Sequence, residues 1–348
     1  MANPEKLRIA VIGVGAFGRN HARVYHDLAK EGAVEFVGVV DSNSARAVQV
    51  AAEFGVQAFA SLPELLQRGK PQAASVAVPT QAHLQVMREL VQNGVDVLIE
   101  KPVAPTLADA DEMLHLAQQH NRIAQAGQLE RFNPAVRATL PLLTKPMFFE
   151  VHRLSVFTPR SLDVDVVLDL MIHDIDVVLS FVQSPVKEIR AVGLPILTPK
   201  VDIANVRMEF DSGCVANFTA SRVSTERVRK LRFFQPQQYI SLDYTRQDVV
   251  AFTVSNDGTG SGGLSGLLAA MGEDESEHPS SPQIKIAKPE VVREEPLRAE
   301  ICAFLHSVRT RSSPVVPLTD GRRALAVALE ILDVIREHSR NVKLDKLL

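Results

Sequence analysis

Residues 7–18 read LRIAVIGVGAFG, an apolar, β-branched run that breaks into glycines and then into a helical pattern starting near Arg19. Gly13, Gly15 and Gly18 fit GxGxxG, with Ala16 and Phe17 between the last two. Between a strand and a helix, each glycine has a separate task. The first permits the tight turn, the second lets the backbone approach a pyrophosphate, and the third lets helix and strand pack closely. The phosphates then meet the unpaired N–H groups and positive dipole end of the helix. The next strand-like run, EFVGVVD, ends on Asp41, 23 residues after Gly18, close to the ~20-residue offset of an acidic residue that binds adenosine ribose hydroxyls. A carboxylate accepts from a free 2′-hydroxyl and repels a 2′-phosphate, so NAD is the expected cofactor. Arg46, a few residues on, either softens that preference or reads as a solvent-facing helix residue.

Outward from this stretch, ASVAVP, DVLIE and IAQAG alternate with amphipathic segments up to about Leu143. That is the pattern of βαβ units and a doubly covered parallel sheet. Ser61–Glu64 and Thr106–Asp109 have capping-box spacing, Gly94 follows a helix as its C-terminal cap, and Asn133-Pro134 reads as N-cap plus first helical proline. After about Lys145 strand-like runs follow one another, notably 203–210 and 215–221 joined by Asp211-Ser212-Gly213, then 231–234 and 239–244. These predict hairpins and a large, mainly antiparallel open sheet. Helices are expected at roughly 163–182 and 297–309. The fold class is α/β: a Rossmann dinucleotide-binding domain over residues 1–145 and an α+β domain for substrate and oligomerisation over 146–348. Residues 255–283, rich in Gly and Ser and then acidic, read as a mobile loop.

The chain has 348 residues, 46% hydrophobic and 23% charged, with a formal charge of −3. Disordered or fibrous classes are excluded, and there is no global basic field to attract nucleic acid or a membrane surface. Cys214 and Cys302 match no disulfide framework or zinc spacing. No metal is expected, and the compartment reads as reducing and cytoplasmic.

The chemical residues lie at strand ends and on one helix. Glu100-Lys101-Pro102 follows DVLIE, on the edge where open α/β sheets bind ligands, and Lys101 is placed to orient a substrate hydroxyl. Pro79 and Thr80, after the preceding strand, are expected to line the cofactor groove. His83 is either a third member or a surface residue at a helix start. The apolar helix DVDVVLDLMIHDIDVVLSFV carries Asp169, His173 and Asp176 at i, i+4 and i+7, one stripe of a regular helix. Histidine suits removal of an alcohol proton, with Asp169 holding the imidazole or the substrate. The alternative is a helix-surface ion pair.

GVGAFGRNHARVY at the start, EKP at 100–102, GQLERFNPA at 127–135 and DLMIHDID at 169–176 together resemble the Gfo/Idh/MocA oxidoreductases over nearly the whole chain. The resemblance implies Lys101, Asp169 and His173 as catalytic residues, with Glu100 and Gln128 joining Gly13, Gly15, Ala16, Phe17, Gly18, Asp41, Pro79, Thr80, His83 and Lys101 around NAD. It also implies C-terminal helices returning toward the first domain. The stretch 255–283 is longer than that family's pattern. A sugar, cyclitol or nucleotide sugar is the implied substrate, oxidised at a secondary hydroxyl. Residues 201–244 are similar to the branch containing UDP-N-acetylglucosamine 3-dehydrogenases. Arg222, Arg227, Arg229, Lys230 and Arg232 crowd one segment, either as countercharge for a diphosphate or as a solvated face. The alternatives are a simple sugar or inositol-type dehydrogenase and, in another class, a non-catalytic dinucleotide-binding regulator. VRMEF and VANFTA are expected to turn apolar side chains to the open face of the sheet and drive formation of a homodimer or homotetramer.

Overall fold

The computed structural model describes residues 6–158, 164–255 and 283–343. It divides into two compact units. The first comprises the described residues up to Phe132 together with Glu294–Val327, and the second those of Asn133–Arg293 together with the chain from Ala328 onward.

In the first unit, six parallel strands, β1 (Leu7–Ile12), β2 (Val34–Val40), β3 (Gln57–Phe59), β4 (Ala73–Val76), β5 (Asp96–Glu100) and β6 (Ala124–Gly127), pair in the order 3-2-1-4-5-6. The strands are short apolar runs because helices cover both faces; β4 and β5 are buried at every position. Helix Ala16–Lys30 turns Gly18, His21, Ala22, Tyr25 and Leu28 inward. Tyr25 and Leu28 share a core with Leu297, Ile301, Phe304 and Leu305 of helix Pro296–Thr310. Strand order reverses about β1 and β4, and their carboxyl ends therefore open the crevice where such sheets bind ligands.

The predicted caps are present as side-chain bonds. The Asp109 N–H donates to Thr106 Oγ1 at 3.1 Å, the Glu64 N–H to Ser61 Oγ at 3.3 Å and the Ala135 N–H to Asn133 Oδ1 at 3.0 Å. Gly94 ends its helix at φ +79°. Asn133 opens the second unit, earlier than the expected boundary at 145. The reason is tertiary: its side-chain amide donates to the Tyr244 carbonyl, and Gln235 holds the backbone of Leu142 and Thr144.

The second unit is built on eight strands: β7 (Phe148–Leu154), β8 (Val186–Leu194), β9 (Ile203–Phe210), β10 (Val215–Ser221), β11 (Val228–Gln235), β12 (Gln238–Asp243), β13 (Asp248–Ser255) and β14 (Gln283–Ala287), in the order 14-13-12-11-7-10-9-8. All pairs are antiparallel except β7 with β10. One face of the sheet is buried, with Phe149 and Phe233 stacked at 5.4 Å and Phe181 of helix Ile172–Phe181 against both. Of the stretch 255–283 expected as a mobile loop, Ser255 ends β13, Gln283 opens β14, and 256–282 lie outside the described residues.

The open face differs from expectation. Val206, Met208, Phe218 and their apolar neighbours on β9 and β10 point to the buried side, because a strand's alternation sends its larger apolar set to the core. The apolar surface comes instead from a cross-strand row, Phe148, Phe234, Tyr239 and Phe252, with ring centroids 4.9–5.7 Å apart. Phe234 is 38% exposed, and Ile286 extends the row. Among the described residues no helix is long and apolar enough to cross a membrane.

Candidate active site

The glycine loop after β1 is sterically obligatory at two of its three glycines. Gly13 has φ +84°, and a Cβ there would lie 2.6 Å from the Ala77 carbonyl oxygen. At Gly18 a Cβ would lie 1.8 Å from the Gly13 oxygen. Gly15 is different: the nearest atom to its would-be Cβ is Arg46 Nη1 at 4.0 Å, so the backbone faces open space. Gly15 is also the N-cap of helix Ala16–Lys30, and no side chain caps that helix. Its first N–H groups are thus left for a ligand.

Asp41 closes this cradle. Its Oδ2 accepts the Val14 N–H and its Oδ1 the Asn43 N–H, both at 2.8 Å. Each carboxylate oxygen keeps further acceptor capacity for ribose hydroxyls. Arg46 remains half exposed but stands 3.5 Å from Asp41 Oδ2, so it belongs to the site edge and not to the solvent face alone. Ala16 and Phe17 are exposed beside the loop, as is Pro79, while Thr80 is half-buried. Gln128, after β6, is 1% exposed, and its Oε1 has no hydrogen-bond partner among the described residues. An open cradle at Gly15, an anchored carboxylate and an orphaned acceptor together fit a dinucleotide.

His83 is neither a surface residue nor open to a ligand. It is 1% exposed, and its ring nitrogens face the carbonyls of Val78 at 2.9 Å and Val103 at 3.1 Å. Burial pushes its pKa below the ordinary 6.5, against the two carbonyls and Glu100, which pull it up. It ties together the two loops that carry Thr80 and Lys101.

Lys101 is half-buried at the end of β5, and behind it lies a polar cluster. Glu100 Oε1 is 2.9 Å from His21 Nε2, His21 Nδ1 is 3.0 Å from Ser75 Oγ, and Ser75 Oγ is 2.8 Å from the Tyr25 hydroxyl. The Lys101 N–H lies 3.3 Å from Glu100 Oε2. Desolvation pushes the Tyr25 pKa up. The sequence carries one sign of this cluster, a histidine on the apolar stripe of an amphipathic helix, but the partners of that histidine lie on other elements.

In the second unit, the helix expected to start at 163 begins, within the described residues, with a π turn, Val167–Met171, before regular helix Ile172–Phe181. The π turn rotates the regular helix relative to the turn before it. Asp169 lies in the π turn and His173 in the regular helix, both half-buried, while Asp176, three residues beyond His173 and expected on the same stripe, is 2% exposed. Asp174, beside His173, receives Arg153 of β7 bidentately at 2.6 and 2.9 Å, and Arg153 Cζ lies 5.0 Å from the Tyr244 ring centroid. Sequence reading missed this pair because Arg153 and Asp174 meet only through the packing of helix on sheet.

The basic segment 222–232 does not form one patch. Arg222 is buried, donating to the Val164 carbonyl and 3.6 Å from Asp202. Lys230 and Arg232 lie on the open face of β11, Arg232 being 3.8 Å from Glu150. Arg229, of opposite parity, is paired in register with Arg153.

Comparison with known proteins places this geometry in a family. Residues 7–128 match the model described as oxidoreductase family, NAD-binding Rossmann fold, and residues 148–238 match the GFO/IDH/MocA C-terminal domain. The chain belongs to the Gfo/Idh/MocA oxidoreductases. It is similar to the UDP-N-acetylglucosamine 3-dehydrogenase of Acidithiobacillus ferrooxidans, with 33% identity over 93% of this chain and 96% of that one. A solved structure of that enzyme superposes with a TM-score of 0.82, covering 95% of this chain and 98% of its own at 32% identity. The scyllo-inositol 2-dehydrogenase of Bacillus subtilis is 26% identical over 63% of this chain and 68% of its own. A levoglucosan dehydrogenase shares the fold at 14% identity, with a TM-score of 0.78 and coverage of 95% and 97%. As a Gfo/Idh/MocA protein the chain is an NAD-dependent dehydrogenase acting on CH–OH groups.

Proposed function

We propose that this dehydrogenase oxidises UDP-N-acetylglucosamine at its 3-hydroxyl to the 3-keto sugar. The observation that carries the reading is the similarity to the Acidithiobacillus enzyme over nearly both chains; the inositol relative is matched over a smaller share. NAD supplies the hydride acceptor when bound, held by the Gly15 backbone, Asp41 and Gln128, with Thr80 along the groove. His173 is the candidate base for the hydroxyl proton as the carbon–hydrogen bond breaks, Asp169 holds the imidazole or the sugar, and Lys101 is the candidate for orienting a substrate hydroxyl. Hydride and proton then account for both hydrogens lost as alcohol becomes ketone. Arg229, in register with Arg153, is the candidate diphosphate contact.

Such an oxidation is uphill. The test therefore couples the protein to an aminotransferase and amino donor and follows NADH absorbance with UDP-N-acetylglucosamine, free N-acetylglucosamine, glucose and myo-inositol. Preference for the nucleotide sugar is expected. Equal rates with the free sugars or inositol would replace the reading by a simple sugar or cyclitol dehydrogenase, and no hydride transfer with any of them by a regulatory dinucleotide binder.

We also infer a cytoplasmic homodimer or homotetramer that buries the aromatic row of the open sheet face. The cysteines are unpaired, and the row is a contiguous apolar surface of the kind that marks an interface. Light scattering at micromolar concentration should give at least a dimer, and Phe234→Lys should shift it toward monomer; a monomeric parent rejects the inference.

A further inference from the structure

The cluster behind Lys101 connects two elements with separate tasks. His21 and Tyr25 stand on the helix whose N-terminus is the pyrophosphate cradle, Ser75 on β4, and Glu100 at the end of β5. All of these side chains are buried: His21 and Ser75 are 0% exposed, Tyr25 0% and Glu100 8%. One direction of donation satisfies them, from the Tyr25 hydroxyl to Ser75 Oγ, from the Ser75 hydroxyl to His21 Nδ1, and from His21 Nε2–H to Glu100 Oε1. Glu100 then keeps Oε2 for the Lys101 N–H. A fully satisfied buried network is rigid, and each lost member leaves its neighbours without a partner in a dry setting. Packing alone does not require this arrangement, since apolar side chains of similar size would fill the space without needing partners. Gly127 adds a second constraint: a Cβ there would sit 3.1 Å from Glu100 Oε1, so β6 leaves room for the carboxylate in this position.

We propose that His21 is a positioning residue for the reaction, setting Lys101 against the cofactor-binding helix through Glu100. The proposal rests on the reading that Lys101 works at the hydride-transfer step, and the experiment separates the two. His21→Leu is expected to lower kcat ~10–100-fold while the Kd for NAD and the KM for the sugar stay within about threefold, since an interaction felt only in the transition state lowers kcat alone. His21→Gln, which keeps a donor toward Glu100 and an acceptor toward Ser75, should recover most of the loss, and Ser75→Ala should give a smaller loss in the same direction. In a Lys101→Ala background, His21→Leu should have no further effect on kcat. Hydrogen exchange on the cofactor-free protein supplies a readout independent of turnover: His21→Leu should deprotect the peptide spanning 97–104 and leave helix 107–119 unchanged. If Lys101→Ala itself keeps parental turnover, the reading of Lys101 fails. If Lys101→Ala is impaired but His21→Leu multiplies the defect, or if His21→Gln is as poor as His21→Leu, the positioning role is overturned. Should His21→Leu not fold, Ser75→Ala and His21→Gln in both backgrounds decide by the same criteria.

Discussion

Each unit backs its candidate catalytic residue with a buried polar pair, and the two pairs are chemically unlike. Behind His173 stands Arg153–Asp174, a bidentate ion pair with 3% and 2% side-chain exposure. Behind Lys101 stands His21–Glu100, with 0% and 11% side-chain exposure, extended by two hydroxyls. A guanidinium is permanently charged, so the first pair holds only as a pair of full charges. A neutral imidazole can donate to the Glu100 carboxylate and accept from Ser75, so the second pair needs no positive charge on its partner. The lesson is that a rigid base can be built with charge or with a donor chain, and the two should fail differently when one partner is removed.

The largest effect expected is on chemistry. Lys101→Ala and His173→Ala should each reduce kcat by ~10²–10⁴-fold with NAD binding nearly intact, measured by NADH absorbance and titration calorimetry. A variant with parental turnover would leave its unit without a catalytic residue and end the comparison. Next comes stability. Arg153→Met strands the Asp174 charge in the interior and should cost about 3–5 kcal/mol in urea unfolding. His21→Leu, which orphans hydrogen bonds, should cost about 1–3 kcal/mol. Equal losses would mean that the charged pair and the donor chain are equally costly to break.

Cofactor choice belongs to the first unit alone. Asp41 should hold NAD at least ~tenfold more tightly than NADP, about 1.4 kcal/mol, and Asp41→Asn should narrow the ratio, with Arg46 then facing a 2′-phosphate unopposed. Fluorescence titration with both dinucleotides checks this, and a parental ratio in the variant would remove the role given to Asp41. The smallest effect is acid sensitivity at His83. Burial lowers its folded pKa below the ordinary 6.5, so below about that pH the unfolded chain binds the proton more readily and stability falls as pH drops. His83→Gln should flatten the decline between pH 7.5 and 5.5 in denaturant midpoints; an unchanged slope would place the acid response elsewhere.

Much of this protein was set locally and could be read locally. The glycine spacing, the acidic strand end, the capping residues and the alternating strands each rest on contacts within a few residues or on a fixed period, and the structure carries them at the expected positions: Gly13 at φ +84°, Asp41 directly after β2, β9 and β10 at 203–210 and 215–221. Tertiary structure decided what depends on partners distant in sequence. It paired β7 parallel to β10, placed His83 between two backbone carbonyls, split the basic segment between a buried Arg222 and the two faces of β11, and buried Asp176 three residues beyond a half-buried His173. It also chose the supports, Arg153 for Asp174 and His21 for Glu100, the latter joining residues 79 positions apart. The physical reason is common to all of these. Periodicity tells which face of an element is apolar, but the cost of burying a polar group is met only by the particular group that packing brings against it.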